Sequence, residues 1–169
     1  LNAFVLTDVL AVSGLSALRR SLPRAVERGT DLDARTGMAY AALLSGVALS
    51  HAGLGAVHGL AGPLGARFPV PHSSACARLL PAVTVANMAA LEAGRGPRRA
   101  LDSYRKAEEA LGATVAEYCG RFVFPGLSSF GMRRADIPSV IEAATSGSMK
   151  TNPVVLTTVE LTSILEEAL

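Results

Sequence analysis

Two histidines in the middle of the chain are the side chains best suited to chemistry. His58 and His72 lie fourteen positions apart, with a Pro-Leu-Gly segment and a short loop between them. Imidazole nitrogen is a common ligand of zinc, iron, nickel and copper. A helix, a loop and a second helix can bring two such residues within coordination range. We interpret the pair as half of a metal site, whose other half is not in these 169 residues; the family resemblance described below is what implies the missing ligands.

The spacing alone leaves a structural explanation open. There is no H-x-x-H or H-E-x-x-H motif, so the spacing by itself favours a structural role, in which His58 is a hydrogen-bonded core histidine and His72 an N-terminal capping residue. Cys76 follows His72 by four positions and can share its helical face. That spacing is compatible with a Cys-His nucleophilic pair, but the interpretation of Cys76 as a small buried apolar side chain is favoured. His51, two turns before His58, is interpreted as a packing residue or an outer neighbour of the site.

The elements that must position these residues are all helical. Apolar residues recur at helical spacing, and no strand or hairpin pattern is found, which predicts an all-α fold of about seven helices. The predicted helices cover residues 7–26, 31–50, 72–93, 98–111, 114–122, 136–144 and 157–169. Capping boxes are predicted at Thr30-x-x-Asp33 and Thr157-x-x-Glu160. Whether the second helix continues to His58 is left open, and Pro63 and Gly65 are predicted to end that helical run.

The glycines between Gly53 and Gly65 do not form a phosphate-binding loop. No strand precedes them, and their spacing is neither G-x-G-x-x-G nor G-x-x-x-x-G-K-[ST]. We expect these small residues to let a cofactor or a neighbouring helix approach the backbone closely.

Composition restricts the class of protein. The chain has 169 residues, of which 50% are hydrophobic, and this indicates about one domain with a sizeable core. The net charge of +2, with acids and bases mixed along the chain, argues against a nucleic-acid partner. The two cysteines, Cys76 and Cys119, are too few for a disulfide framework, so reduced thiols and a cytoplasmic location are expected. The opening residues show no signal-peptide pattern.

One uncharged run resembles a membrane span. Residues 36–66 contain no charged side chain and are longer than the roughly 20 residues that cross a bilayer. The run is rich in Ala, Gly and Ser, and it contains His51, His58 and Pro63. We therefore interpret it as a buried central helix that is apolar all round, in a protein that does not enter membranes. Because the chain opens at Leu1 directly into a helical pattern, we expect it to be a piece of something longer.

Several short motifs together resemble one family, in its order and spacing. They are Asp31-Leu-Asp-Ala-Arg35, Ala41-Ala-Leu-Leu-Ser-Gly46, Gly53-Leu-Gly-Ala-Val-His-Gly59, Pro63-Leu-Gly65, Pro71-His72, Leu80-Pro81 and Asn152-Pro153. Nearly the whole chain resembles the C-terminal helical domain of the iron-containing (group III) alcohol dehydrogenases. This family includes maleylacetate reductases and shares its fold with dehydroquinate synthase. The segment from His58 to His72 is the most specific part of the resemblance.

The resemblance implies the C-terminal half of a two-domain enzyme. An N-terminal α/β domain, absent from this chain, would bind NAD(P)(H), and residues 1–169 would form the helical, metal-binding domain. The family's divalent metal is usually iron or zinc, held by an Asp and a His on one helix and by two later histidines, which map onto His58 and His72. The implied reaction is hydride transfer between an alcohol and the nicotinamide, with the metal as Lewis acid.

The resemblance also assigns three further positions. Leu49 and Ser148 would fall in the substrate pocket, which takes a small alcohol, aldehyde or ketone. Many relatives carry a histidine near the nicotinamide four residues after the first ligand, and here that position is Gly62. Relatives often form homo-oligomers. Two alternatives stay open: a metal-independent reductase like the maleylacetate reductases, and a helical module that exists alone for binding or assembly without catalysis.

Overall fold

A computed structural model of the chain describes residues 5–144 and 147–169. Within these residues the secondary structure is helical, without strands, as the sequence predicts. The helices are α1 (Val5–Glu27), α2 (Leu32–Ala52), α3 (Ala56–Arg67), α4 (His72–Glu92), α5 (Arg98–Leu111), α6 (Val115–Cys119), α7 (Ile137–Ala143) and α8 (Thr158–Ala168). Short 3-10 helices cover Leu127–Phe130, Arg134–Asp136 and Gly147–Thr151. Leu1 and Ser146 lie outside the described residues.

The chain divides into two compact units. Unit 1 consists of Leu1–Gly53 and Asp102–Thr114, and unit 2 of Leu54–Leu101 and Val115–Leu169, so the boundary crosses α5. In unit 1, α1 and α2 pack along their length through small residues such as Gly14, Ala17 and Ala41. Unit 1 therefore brings two helix backbones close together.

Unit 2 is built around larger side chains. Helices α3, α4, α8 and α7 form a closed ring in which each packs against two of the others, and α6 packs on α4. The side chains of Leu60, Leu64, Leu79, Val140 and Leu165 are completely buried. This aliphatic core fixes the relative positions of α3 and α4, the two helices that carry His58 and His72.

The start of α2 differs from the prediction. The N-cap residue is Asp31, whose carboxylate accepts a hydrogen bond from the backbone N–H of Ala34 at 3.0 Å, so the predicted capping box at Thr30 is wrong. The same carboxylate pairs with the guanidinium of Arg24 at 2.8 Å. The hydrogen bond from Ala34, followed by Arg24, lowers the pKa of Asp31. By contrast, the predicted capping box of α8 is confirmed at Thr157 and Glu160.

The glycine-rich run contains a break between two helices at Gly53, a point that the sequence left open, and it stays helical at Pro63, where the sequence predicts an end. Gly53 closes α2 with a φ of 78°, a left-handed conformation that glycine adopts without a steric penalty. His58 then lies near the start of α3, and α3 continues through Pro63 to Arg67. The predicted end at Pro63 is wrong because a proline removes a single intrahelical N–H, and the buried Leu60 and Leu64 hold the helix on both sides.

The predicted buried helix over residues 36–66 is also wrong in part. Its first half, in α2, exposes Leu43 and Leu49, and only its second half, in α3, is largely buried. Of the described helices, α4 is long and apolar enough to cross a bilayer by length and composition, and α2 with α3 would qualify only as one bent span. In α4, 44% of the apolar window is buried, and core helices of soluble proteins meet the same criterion.

Candidate metal centre

His58 and His72 lie side by side in unit 2. His58 is the third residue of α3 and His72 is the first residue of α4. Their ring centroids are 5.3 Å apart, with the ring planes inclined at 49°. The His58 side chain is half-buried and His72 is exposed. The loop between the two helices therefore returns the chain so that both imidazoles face one point.

The surroundings of His58 favour its neutral form. Burial, and secondarily the neighbouring His72, lower the pKa of His58 below its ordinary value of 6.5. At neutral pH its imidazole consequently keeps one nitrogen lone pair available, which is the form that binds a metal ion.

Cys76 completes a cluster of three donors. Its Sγ lies 3.5 Å from Nε2 of His72, one helical turn earlier on α4. Each of His58, His72 and Cys76 offers one ligand atom, and these atoms all lie within 4.8 Å of one another. Burial raises the pKa of the Cys76 thiol. Two imidazole nitrogens and a sulfur converging at this distance suit a divalent transition metal such as zinc.

A side chain distant in sequence fixes the start of α3. The N-cap residue, Gly55, has no side chain to accept a hydrogen bond, and Asn152 supplies the missing acceptor: its Oδ1 accepts from the backbone N–H of Ala56 at 3.0 Å. A Cβ on Gly55 would lie 2.9 Å from that oxygen, so glycine is needed for the approach. The capped N–H group, that of Ala56, lies two residues before His58.

Asn152 is in turn held by Asn87, a buried residue of α4. The two amides exchange hydrogen bonds, at 3.1 Å from Asn87 to Asn152 and 2.8 Å in return. Asn152 also donates to the carbonyl of Val154 at 2.9 Å. No buried side-chain nitrogen or oxygen in the described residues lacks a partner. This amide pair ties together α3, α4 and the segment before α8.

The 3-10 helix Gly147–Thr151 packs directly on α3. A Cβ at Gly59, next to His58, would lie 3.1 Å from both the backbone nitrogen and Cε of Met149. The expected close approach to a glycine of this run is therefore made by the 3-10 helix, which packs against the backbone of α3 at Gly59. Ser148, half-buried in the same 3-10 helix, accepts a hydrogen bond through its carbonyl from the hydroxyl of Thr151 at 3.1 Å. The Thr151 hydroxyl also donates to the carbonyl of Leu54.

The remaining predicted positions are distributed over both units. Gly62 lies in α3, one turn after His58, and a Cβ there would meet nothing within 4 Å. Leu49 belongs to unit 1, where it is 41% exposed and borders an apolar groove of about 550 Å³ between α1 and α2. His51 also lies in unit 1, and its Nδ1 is 2.9 Å from the hydroxyl of Ser50 and 2.9 Å from the carbonyl of Val47.

Two features of the site were missed by reasoning from the sequence. The sequence predicts Cys76 to be a nucleophile or a core residue, although its spacing of four from His72 is also suitable for a third metal donor. The role of Asn87 was not recognised, although a buried-helix pattern interrupted by one amide is a usable signal. Its partner, 65 positions away in sequence, could not be read from that signal.

Comparison with known proteins decides the family. The model of the Fe-containing alcohol dehydrogenase family, C-terminal domain, matches residues 1–169. The chain belongs to this family. The helical fold is the C-terminal half of a dehydroquinate synthase-like fold.

Individual relatives agree with the family assignment. The chain is 34% identical to the 1,3-propanediol dehydrogenase of Klebsiella pneumoniae over 90% of its own length and 42% of that protein. It is 29% identical to the NAD-dependent methanol dehydrogenase of Bacillus methanolicus over 99% of its length and 46% of that protein. The crystal structure of a 1,3-propanediol oxidoreductase superimposes with a TM-score of 0.82 and 32% identity, covering 99% of this chain and 46% of that one. The chain thus spans less than half the length of these relatives.

Proposed function

We propose that this chain is the metal-binding catalytic half of an NAD(P)-dependent alcohol dehydrogenase or carbonyl reductase. One observation carries the proposal: His58 and His72 are fourteen positions apart in sequence, and their ring centroids lie 5.3 Å apart in a chain that the Fe-containing alcohol dehydrogenase family model matches throughout. The substrate would be a small alcohol or the corresponding aldehyde or ketone. The NAD-dependent methanol dehydrogenase among the relatives supports a nicotinamide cofactor.

His58 and His72 would hold a divalent iron or zinc ion. When bound, such an ion supplies Lewis-acid polarisation of the substrate oxygen. Other residues of the chain would hold the backbone of the two histidines in position. The cap from Asn152 fixes the first turn of α3, and the packing of Met149 on Gly59 fixes the next residue after His58. The backbone that carries His58 would thereby be ordered before the metal binds, which lowers the entropic cost of binding.

The other assigned residues would shape the pocket. We propose that Leu49 supplies an apolar wall and that Ser148 supplies a polar group for the substrate. At Gly62, the open space around the missing side chain would leave room for the nicotinamide. The N-terminal nucleotide-binding half would hold most of the NAD(P), and the complete enzyme would be a cytoplasmic homo-oligomer without a nucleic-acid or membrane partner.

The test uses the full-length native protein. His58→Ala and His72→Ala should each reduce the amount of metal bound per protein, measured by elemental mass spectrometry. Each should also reduce the rate of alcohol oxidation, measured by the absorbance of NAD(P)H. The matched control is His51→Ala, because His51 is the remaining histidine of the chain and lies in unit 1. This variant should bind as much metal as the unmodified protein. Unchanged metal content and turnover in both ligand variants would contradict the assignment. An active enzyme that never holds a metal would instead indicate the metal-independent reductase.

A further inference from the structure

Cys76 has no assigned part in the proposed function, yet it lies in the donor cluster. The thiol is on the same face of α4 as His72, one turn further along, and it is only half-buried. The ligand atoms of His58 and His72 lie within 4.8 Å of the Cys76 sulfur, so Cys76 is not an isolated cysteine. A free thiol in this position is open to an ion that enters from the side of the exposed His72.

The observed distance fits shared coordination. In a tetrahedral zinc site the Zn–S bond is about 2.3 Å and the Zn–N bond about 2.0 to 2.1 Å, which places the two ligand atoms about 3.6 Å from each other. The 3.5 Å between Sγ of Cys76 and Nε2 of His72 agrees with this separation. The same distance also allows a thiol-to-imidazole hydrogen bond, so the experiment must separate the two arrangements.

We propose that Cys76 is a further ligand, the third from this chain, of the metal ion held by His58 and His72. This inference rests on the proposed function, because it requires a metal at the two histidines. The thiolate adds a soft donor to nitrogen and oxygen ligands, and soft donors favour zinc over manganese or magnesium. Cys76 would thereby bias this member of the family towards zinc.

Cobalt is a suitable probe because a thiolate bound to Co²⁺ gives a sulfur-to-metal charge-transfer absorption in the near ultraviolet, whereas imidazole does not. The full-length native protein, freed of metal and titrated with Co²⁺, should show that absorption. Cys76→Ser should abolish it and weaken Co²⁺ binding by at least about tenfold, a loss that even an outer partner of a ligand can cause. Cys119→Ser, the other half-buried cysteine, is the matched control and should change neither property.

The possible results separate the two proposals. Co²⁺ bound through the histidines without the charge-transfer absorption overturns the role of Cys76 and leaves the proposed function intact. If the native protein does not bind Co²⁺ and is indistinguishable from His58→Ala in the titration, both the role of Cys76 and the proposed function are overturned. X-ray absorption of the zinc-loaded native protein needs no variant: a sulfur neighbour at about 2.3 Å supports the inference, and a shell of nitrogen and oxygen alone contradicts it.

Discussion

Unit 1 and unit 2 are both helical, but they bury different kinds of side chain. In unit 1 the contact between α1 and α2 is made by Gly14, Ala17 and Ala41, while Leu43 on α2 is 65% exposed. In unit 2 large aliphatic side chains such as Leu64 are completely buried, and the unit also holds a hydrogen-bonded pair of amides, Asn87 and Asn152. A site whose ligands come from two helices needs fixed helix positions, and the second type of packing provides them because truncating or moving a large buried side chain is costly.

The largest expected effect comes from the aliphatic core. Leu64→Ala should lower the free energy of unfolding by about 2 to 5 kcal/mol, because it leaves a cavity in α3. Leu43→Ala, the same substitution on the exposed face of unit 1, should stay within about 0.5 kcal/mol. Urea denaturation followed by circular dichroism measures both. If the two variants lost equal stability, the contrast between the units would fail.

The amide pair should have the next largest effect. Asn87→Ala removes the partner of Asn152 and leaves a buried amide with fewer hydrogen bonds, which should cost about 1 to 3 kcal/mol. Combining it with Asn152→Ala should cost less than the sum of the two single changes, because the pair acts as a unit. A double-mutant cycle measured by urea denaturation checks this. Strict additivity would show that the two amides do not support each other.

Two glycines sharpen the comparison, because the same substitution should have opposite signs in the two units. Gly59→Ala would place a Cβ 3.1 Å from the backbone of Met149, and should destabilise the protein by about 1 kcal/mol or more. Gly14→Ala would place a Cβ at 3.5 Å from Cβ of Leu44, an ordinary contact, and should stabilise α1 by up to about 1 kcal/mol.

Thermal unfolding of the two glycine variants gives the sign directly. Gly62→Ala is the control within α3, because nothing lies within 4 Å of its added Cβ. A stabilising Gly59→Ala would mean that the 3-10 helix does not press on α3 as the structure shows.

The smallest expected effect is electrostatic. Hydrogen bonds from Arg95, and then from the backbone of Thr157, lower the pKa of Glu160 from 4.5 to about 2. A lowered carboxyl pKa adds stability that is complete above pH 4.5 and is lost as the pH falls towards 2. Because the pair is partly exposed, we expect a contribution of about 1 kcal/mol after solvent screening.

Glu160→Gln should therefore be less stable than the unmodified protein at pH 6 and should lose less stability between pH 5 and pH 2.5. Urea midpoints across that range measure the difference, with Glu167→Gln on the same helix as the control. Parallel pH profiles for Glu160→Gln and the unmodified protein would exclude this contribution.

The helical class, the family resemblance and the cap of α8 can all be predicted from local patterns in the sequence. These depend on local spacing: apolar residues at helical intervals, and the four-residue pattern from Thr157 to Glu160, act over one or two turns of the chain. The candidate ligands His58 and His72 were found in the same way, through a short segment with a specific order of residues.

How that segment is held in place depends on contacts between residues that are distant in sequence. The helix passes through Pro63 because the surrounding core outweighs one lost hydrogen bond, and α3 begins at Ala56 because Asn152, 96 positions away, supplies the acceptor that Gly55 lacks. The convergence of Cys76 with both histidines likewise depends on the packing of α3 against α4. Contacts between distant residues leave no periodic signal in the chain, so they had to be seen in the fold.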